Sequence, residues 1–261
     1  MNARISAVAV VVLVAARTGS PPVGEARADE PTGGNASGVA VVELFTSEGC
    51  SSCPPADNVL SNLAQSSDRG IYALAFHVDY WDELGWHDRF ASPDNTARQQ
   101  AYAHAFGRRD VYTPQMIVDG TEQFTGSDGD RAVAAITRAL SRPPSVRISL
   151  RLRSTGPDAV RVSYEARGAP IGSMFNVAAI ERAVSVSVRA GENAGRTLRH
   201  VNVVRAFLTT RVTSEAGSIV IELPPSLPRK GADLVAYVQL TSVDGSGMPV
   251  LGATRSPLAD P

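Results

Sequence analysis

Two cysteines stand in the chain, Cys50 and Cys53, separated by Ser51-Ser52 at the point where an apolar run gives way to small polar residues. The run is Val41-Val42-Glu43-Leu44-Phe45. Thr46-Ser47-Glu48-Gly49 follows it, and Pro54 comes directly after the second cysteine. With no further cysteine there is no disulfide framework, so the pair is either a local clip or a working thiol pair. Either way the local pattern demands a strand, a turn and a helix start in immediate succession.

The surrounding chain supplies the partners such a unit needs. Val39 to Phe45 reads as a buried strand, and Asp57 to Ala64 as a helix with Val59, Leu60 and Leu63 on one face. Ile71 to Val78 is a second strand. Ser92-Pro93-Asp94 opens a helix that runs to Phe106. Met116 to Val118 and Thr121 to Thr125 are joined by the hairpin turn Asp119-Gly120. Asp128 or Asp130 caps a last helix, with Val133, Ile136, Thr137 and Leu140 expected on its inner side. The order β-α-β-α-β-β-α over residues 39–142 predicts an α/β domain of thioredoxin-like arrangement.

The stretch from Val42 through Gly49-Cys50-x-x-Cys53 is similar to the first strand and active-site turn of glutaredoxins. Thr113-Pro114, directly before a strand, resembles the cis-proline loop of thioredoxin-fold proteins. Phe45 to Asp57, His77-Val78-Asp79-Tyr80-Trp81 and Tyr112-Thr113-Pro114-Gln115 together resemble an exported bacterial family catalogued as domain of unknown function 1223. The resemblance spans roughly residues 39 to 256. It implies a thioredoxin-like domain with a β-rich extension and supplies no substrate.

A Cys-x-x-Cys pair at a helix start suits redox work, because free backbone N–H groups and the helix dipole favour a thiolate. Cys50 is then the attacking thiol and Cys53 the resolving one, with Thr113 and Pro114 positioning the partner. Pro54 and Pro55 lack N–H groups, so the regular helix starts near Ser52 or Cys53 and helps Cys50 less. Glu48 opposes a thiolate as well. Glu43 is a candidate proton acceptor for Cys53, or a solvated edge carboxylate. Pro54 after Cys53 excludes haem attachment, which needs histidine there.

His77 to Asp88 follows the second strand and leaves the sheet at the same edge as Cys50, where ligands of open α/β sheets bind. Asp79, Trp81, Trp86 and His87 are candidates for a lid or proton relay; the alternative is a packed aromatic cap with an acidic rim. Cys50, Cys53 and His77 or His87 could also hold a soft metal, but the spacing carries no supporting second pair, so no metal and no cofactor are expected.

From Arg142-Pro143-Pro144-Ser145 onward the pattern changes. Val146, Ile148, Leu150 and Leu152 alternate with Arg147, Ser149, Arg151 and Arg153. Further strands read near 160–164, 174–190, 198–211, 218–223, 232–241 and 249–255, which predicts an all-β, sandwich-like domain over residues 143–261. Gly191 to Val204 is rich in polar groups. It is either a glycine-rich turn or a segment that docks Arg196 or His200 on the thiol domain.

At the other end, Arg4, the apolar run Ile5 to Ala16 and Ala26-Arg27-Ala28 read as a removable secretory signal over residues 1–28, followed by a linker at 29–38. An uncleaved anchor is the alternative, although a twelve-residue, almost purely apolar run is too short to span a bilayer. The expected location is the periplasm or outside the cell, with no membrane anchor after cleavage. Residues 29–142 carry 8 arginines and no lysine against 16 acids, whereas residues 143–261 carry 14 basic residues against 9 acids. That asymmetry favours intramolecular docking of the two domains, or reflects two independent surfaces. Scattered basic residues do not support nucleic-acid binding. The expected function is an exported thiol–disulfide oxidoreductase acting on a protein or small-molecule partner. A binding or assembly protein with a structural disulfide and a copper chaperone are the rivals.

Overall fold

The computed structural model describes residues 38–65, 70–242 and 245–258. The expected signal at 1–28 and nearly all of the 29–38 linker lie outside these residues. β1 (Ala40–Thr46) is buried at every position, Glu43 and Thr46 included, as in a strand covered on both faces. It pairs in parallel with β2 (Ile71–His77), from Ala40 opposite Ile71 to Thr46 opposite His77, and antiparallel with β3 (Gln115–Val118). α1 (Pro54–Ala64) connects β1 to β2. α2 (Pro93–Ala105) connects β2 to β3, its first turn capped by the Ser92 hydroxyl accepting from the Asn95 N–H. Asp119-Gly120, both at positive φ, turn β3 into β4 (Glu122–Thr125), and Asp128 caps α3 (Gly129–Leu140). This half keeps the element order that the pattern predicts.

α3 keeps two of its expected inner residues, Ile136 and Leu140, against the core and turns the other two outward. Val133 is 60% exposed and Thr137 is also outside, while Ala132, Ala135, Ile136 and Ala139 face the sheet. Methyl side chains let the helix axis approach the strands closely, which the larger residues do not.

The remaining strands are β5 (Arg147–Gly156), β6 (Ala159–Arg167), β7 (Met174–Ser187), β8 (Thr197–Arg211), β9 (Ala216–Glu222), β10 (Ala232–Gln239) and β11 (Val250–Pro257). They do not build a sandwich apart from the first half. Four of them extend the first sheet, giving one mixed eight-stranded sheet in the order β11-β10-β7-β8-β2-β1-β3-β4. β5, β6 and β9 form a second, antiparallel sheet. β10, buried along its whole length, accounts for this, because a strand with no solvent face needs a cover on each side. The described residues accordingly belong to one compact unit.

Parity along the strands shows how the layers stack. Val42 and Leu44 of β1 pack with Ala56 and Leu60 of α1 and with α3. Phe175, Val177, Leu234 and Ala236 pack against Val160 and Val162 of the small sheet. The alternate residues, including Val41, Phe45, Phe76, Ile180 and Tyr237, pack with Tyr102 of α2 in another layer. β8 joins β2 in parallel at a single aligned pair, Ala75 and Val203. There Asn202, at φ 48, donates its side-chain N–H to the Ala73 carbonyl at 3.0 Å.

Candidate functional site around Cys50 and Cys53

The turn after β1 carries a Cys50–Cys53 disulfide, and Cys53 is the residue preceding the first turn of α1. Pro54 and Pro55 occupy the first two helical positions. The Ala56 and Asp57 N–H groups bond the Cys53 carbonyl at 2.9 and 3.1 Å, so no N–H of that first turn is directed at Cys50. The Cys50 sulfur lies 3.3 Å from the Ser52 hydroxyl. Both cysteines are fully buried, which the sequence does not suggest.

The cover comes from the β7–β8 connection. Asn193, itself fully buried, donates from its side-chain nitrogen to the carbonyls of Glu48 and Cys50, each at 2.9 Å. Arg196 holds the Asn193 side-chain oxygen at 3.0 Å and so fixes which way the amide points. The Glu192 carboxylate accepts from the Ser51 N–H at 3.0 Å; its hydrogen bonds to Ser51 hold it below the usual carboxylate range. Gly191 closes on Trp86, where an added Cβ would sit 3.0 Å from the Trp86 Cβ, and its φ of 71 also favours glycine.

Beneath the turn lies a set of buried titratable groups. His77 ends β2 beside Thr46, and its Nδ1 bonds Asp88 at 2.6 Å. Asp88 also accepts from the Glu48 and Phe90 N–H groups, each at 2.9 Å. Burial pushes against charge in both partners, but their mutual attraction wins: the Asp88 carboxyl falls to about 2 and the His77 imidazole is raised. His200 of β8 packs edge-on against His77, with ring centres 4.8 Å apart. It lies 3.5 Å from Glu48 and 3.7 Å from Asp57. Asp57 is one turn along α1 from Cys53 and accepts from the Thr46 hydroxyl at 2.9 Å. Burial raises its carboxyl despite the opposing pull of His200 and His77. Glu48 Oε1, His77 Nε2 and both His200 ring nitrogens are buried without a hydrogen-bond partner, a costly arrangement unless it is used.

The expected site residues divide into two groups. The Thr113–Pro114 bond is cis, and the Thr113 hydroxyl accepts from the Trp81 indole N–H at 2.7 Å. The Trp81 Cβ would lie 3.3 Å from a Cβ on Gly49, so Trp81 lines the disulfide turn. Trp86 donates to Glu48 Oε2 at 2.7 Å and joins the same group. The other three serve elsewhere. Asp79 accepts from the Thr96 hydroxyl at 2.5 Å, tying the loop to α2. His87 is 81% exposed in its side chain and pairs with Asp82. Glu43 shares strand parity with Val41 and Phe45, on the face away from α1, so it does not stand beside Cys53. Arg98 grips it with two bonds of 2.6 and 2.8 Å, and the Tyr102 hydroxyl donates to it at 2.6 Å.

Asp57, Asp88, Asn193 and the pairing of His77 with His200 escape the sequence reading. Asp57 had a signal, being an acid on an apolar helix face one turn after Cys53. Asn193 and His200 lie in a stretch whose polar density fits docking as well as a turn. Among the described residues, no group of three or more His, Cys, Asp or Glu is placed to hold a metal ion. Nor is any helix there long and apolar enough to cross a membrane. Chemically, the arrangement offers one cleavable sulfur–sulfur bond, and acids and imidazoles that can store protons beside it.

Comparison with known proteins places this geometry among relatives. No curated protein matches the chain. The crystal structure of an Agrobacterium tumefaciens protein is similar at 30% identity and a TM-score of 0.62, over 86% of this chain and 96% of that one. HBP35 of Porphyromonas gingivalis is similar in fold, at 14% identity and a TM-score of 0.62, over 87% of this chain and 77% of that one. A family profile described as protein of unknown function, DUF1223, matches residues 41–239, and the chain belongs to that family.

Proposed function

We propose that the protein is a thiol–disulfide oxidoreductase whose Cys50–Cys53 pair works behind a movable cover. The observation that carries this reading is the buried cluster of Glu48, Asp57, His77, Asp88 and His200 packed against the disulfide turn. Burying ionisable groups without full pairing is a poor way to gain stability. A thioredoxin-like arrangement of β1, α1 and the Thr113–Pro114 loop supports the same reading. In the reductive direction, the Cys50 thiolate attacks a substrate disulfide, forming Cys50–S–S–R and releasing R′S⁻. The Cys53 thiolate then attacks Cys50 sulfur, releasing RS⁻ and closing Cys50–Cys53. The substrate gains two electrons, the protein loses two, and both released thiolates are protonated. An external dithiol resets the pair. Among the described residues neither an N–H group of the first turn of α1 nor an Arg or Lys side chain is directed at the Cys50 sulfur, which favours the disulfide and makes the reduced protein a donor of electrons. The setting is the exported, disulfide-permissive compartment implied by the leader-like segment.

A second reading has one observation in its favour. Both sulfurs are fully buried, as in a structural clip within a binding protein. Expression of Cys53→Ser in the exported compartment separates the two. An oxidoreductase accumulates mixed disulfides through Cys50. Absence of any Cys50-linked partner, with wild type fully oxidised, overturns the exchange reading.

A further inference from the structure

The β7–β8 hairpin does more than cover the cysteines. β10 pairs with β7 only as far as Glu181, whereas β7 continues to Ser187, paired with β8 alone. Among the described residues, Ala183–Ser187 therefore presents an open strand edge on the side away from β8. A groove of about 510 Å³ lies along this stretch, lined by Ser185, Val186, Ser187 and Arg189 on one side and Trp86 and Arg89 on another, with Glu48 also on its wall.

The charges of this groove do not cancel. Glu48 is engaged by Trp86 and faces His200, and His87 is paired with Asp82. Arg89 lies over the Phe90 ring at 4.7 Å, and neither Arg89 nor Arg189 has an acidic partner among the described residues. Two guanidiniums without an acidic partner among the described residues thus flank an indole and a free strand edge. Glu48, on the groove wall, is two residues from Cys50 in sequence.

We infer that this groove receives an extended acidic peptide, which adds as a strand to Ala183–Ser187 and sets its carboxylates against Arg89 and Arg189. This deepens the exchange reading and rests on it for the chemical step after binding: the peptide carries the disulfide that Cys50 attacks. Main-chain pairing supplies affinity with little sequence demand, and the two arginines select for acidic side chains.

The test uses the full-length oxidised protein and a short, labelled, cysteine-free peptide alternating Glu with Thr, followed by fluorescence anisotropy. The Glu peptide binds, and a Lys-for-Glu version does not. The exposed double variant Arg89→Glu with Arg189→Glu weakens binding by about tenfold or more. On binding, those amides of Ala183–Ser187 that point away from β8 gain protection from hydrogen exchange. Equal binding of the Lys peptide, unchanged binding by the double variant, or protection confined to other segments overturns the inference. The peptide has no sulfur, so binding is scored independently of chemistry. Peptide binding together with an empty Cys53→Ser trap defeats the exchange reading alone. A productive trap with no peptide binding defeats the groove alone.

Discussion

The side-chain amide of Asn193 bonds the main-chain carbonyl of Cys50 at 2.9 Å, across 143 positions of sequence. A second bond of 2.9 Å to the Glu48 carbonyl makes Asn193 a two-point latch on the disulfide turn. Asn193→Ala frees both carbonyls. Reduction of Cys50–Cys53 by dithiothreitol, followed by maleimide gel shift, then speeds up by about tenfold, in proportion to the lost latch energy of about 1.4 kcal/mol. Arg196→Ala shifts the rate in the same direction by less. Equal rates in variant and wild type show that this hairpin does not control access.

The His77–Asp88 pair sets a pH window for stability. The His77 imidazole is raised in the fold, so its contribution is complete below the unfolded value near 6.5 and lost as pH rises through the folded value. Asp88 is lowered to about 2 from 3.8, so its contribution is complete above 3.8 and lost as pH falls toward 2. Asp88→Asn therefore costs most between those limits, by about 3 kcal/mol in urea unfolding. A cost that does not change with pH contradicts the charged pairing.

Arg98 is the counter-ion of Glu43 and also meets the Tyr237 hydroxyl at 2.7 Å. Arg98→Met strands a buried carboxylate and lowers stability by about 3 kcal/mol, whereas Glu43→Gln with Arg98→Met costs less than the single change. Neither alters the rate of disulfide reduction in the folded protein, because Glu43 faces away from α1. A slower reduction in Glu43→Gln would restore its role as proton acceptor.

At the β3–β4 turn, burial pushes the Asp119 carboxyl up to about 7 from 3.8, although the Val41 N–H donates to it at 2.8 Å. The fold holds the extra proton, so stability is lost as pH rises from 3.8 through about 7. Asp119→Asn keeps an acceptor for Val41 and tolerates the φ of 48, so it raises stability at pH 8 by about 1 kcal/mol and leaves it unchanged at pH 3. Thermal unfolding at the two pH values checks this. A loss at pH 8 refutes it.

What the sequence reveals is what neighbouring residues decide. The strand, the cysteine turn, the two prolines and the helix after them are contiguous, and the alternation of Ile148, Leu150 and Leu152 marks a strand with one wet face. Proximity along the chain puts Glu43 near Cys53, but strand parity sends it to the other face. β10, with Asp233 and Gln239 buried among apolar residues, gives no alternation from which to read its neighbours. Asn193 and His200 act through contacts with residues far away in sequence. No local periodicity records such contacts, and only the polar density of their stretch hints at them.

The single-pair junction of β2 with β8 has a consequence for how the protein is made. Synthesis delivers β1 to β4 and α1 to α3 well before residue 203 exists to close the flank of β2. Until then the nascent half holds a bare strand edge ending in His77, an invitation to pair with another chain. A chain stopped at Arg142 keeps that edge for good, so the smallest length that can fold cleanly is set by β8 and not by the residues that carry the cysteines.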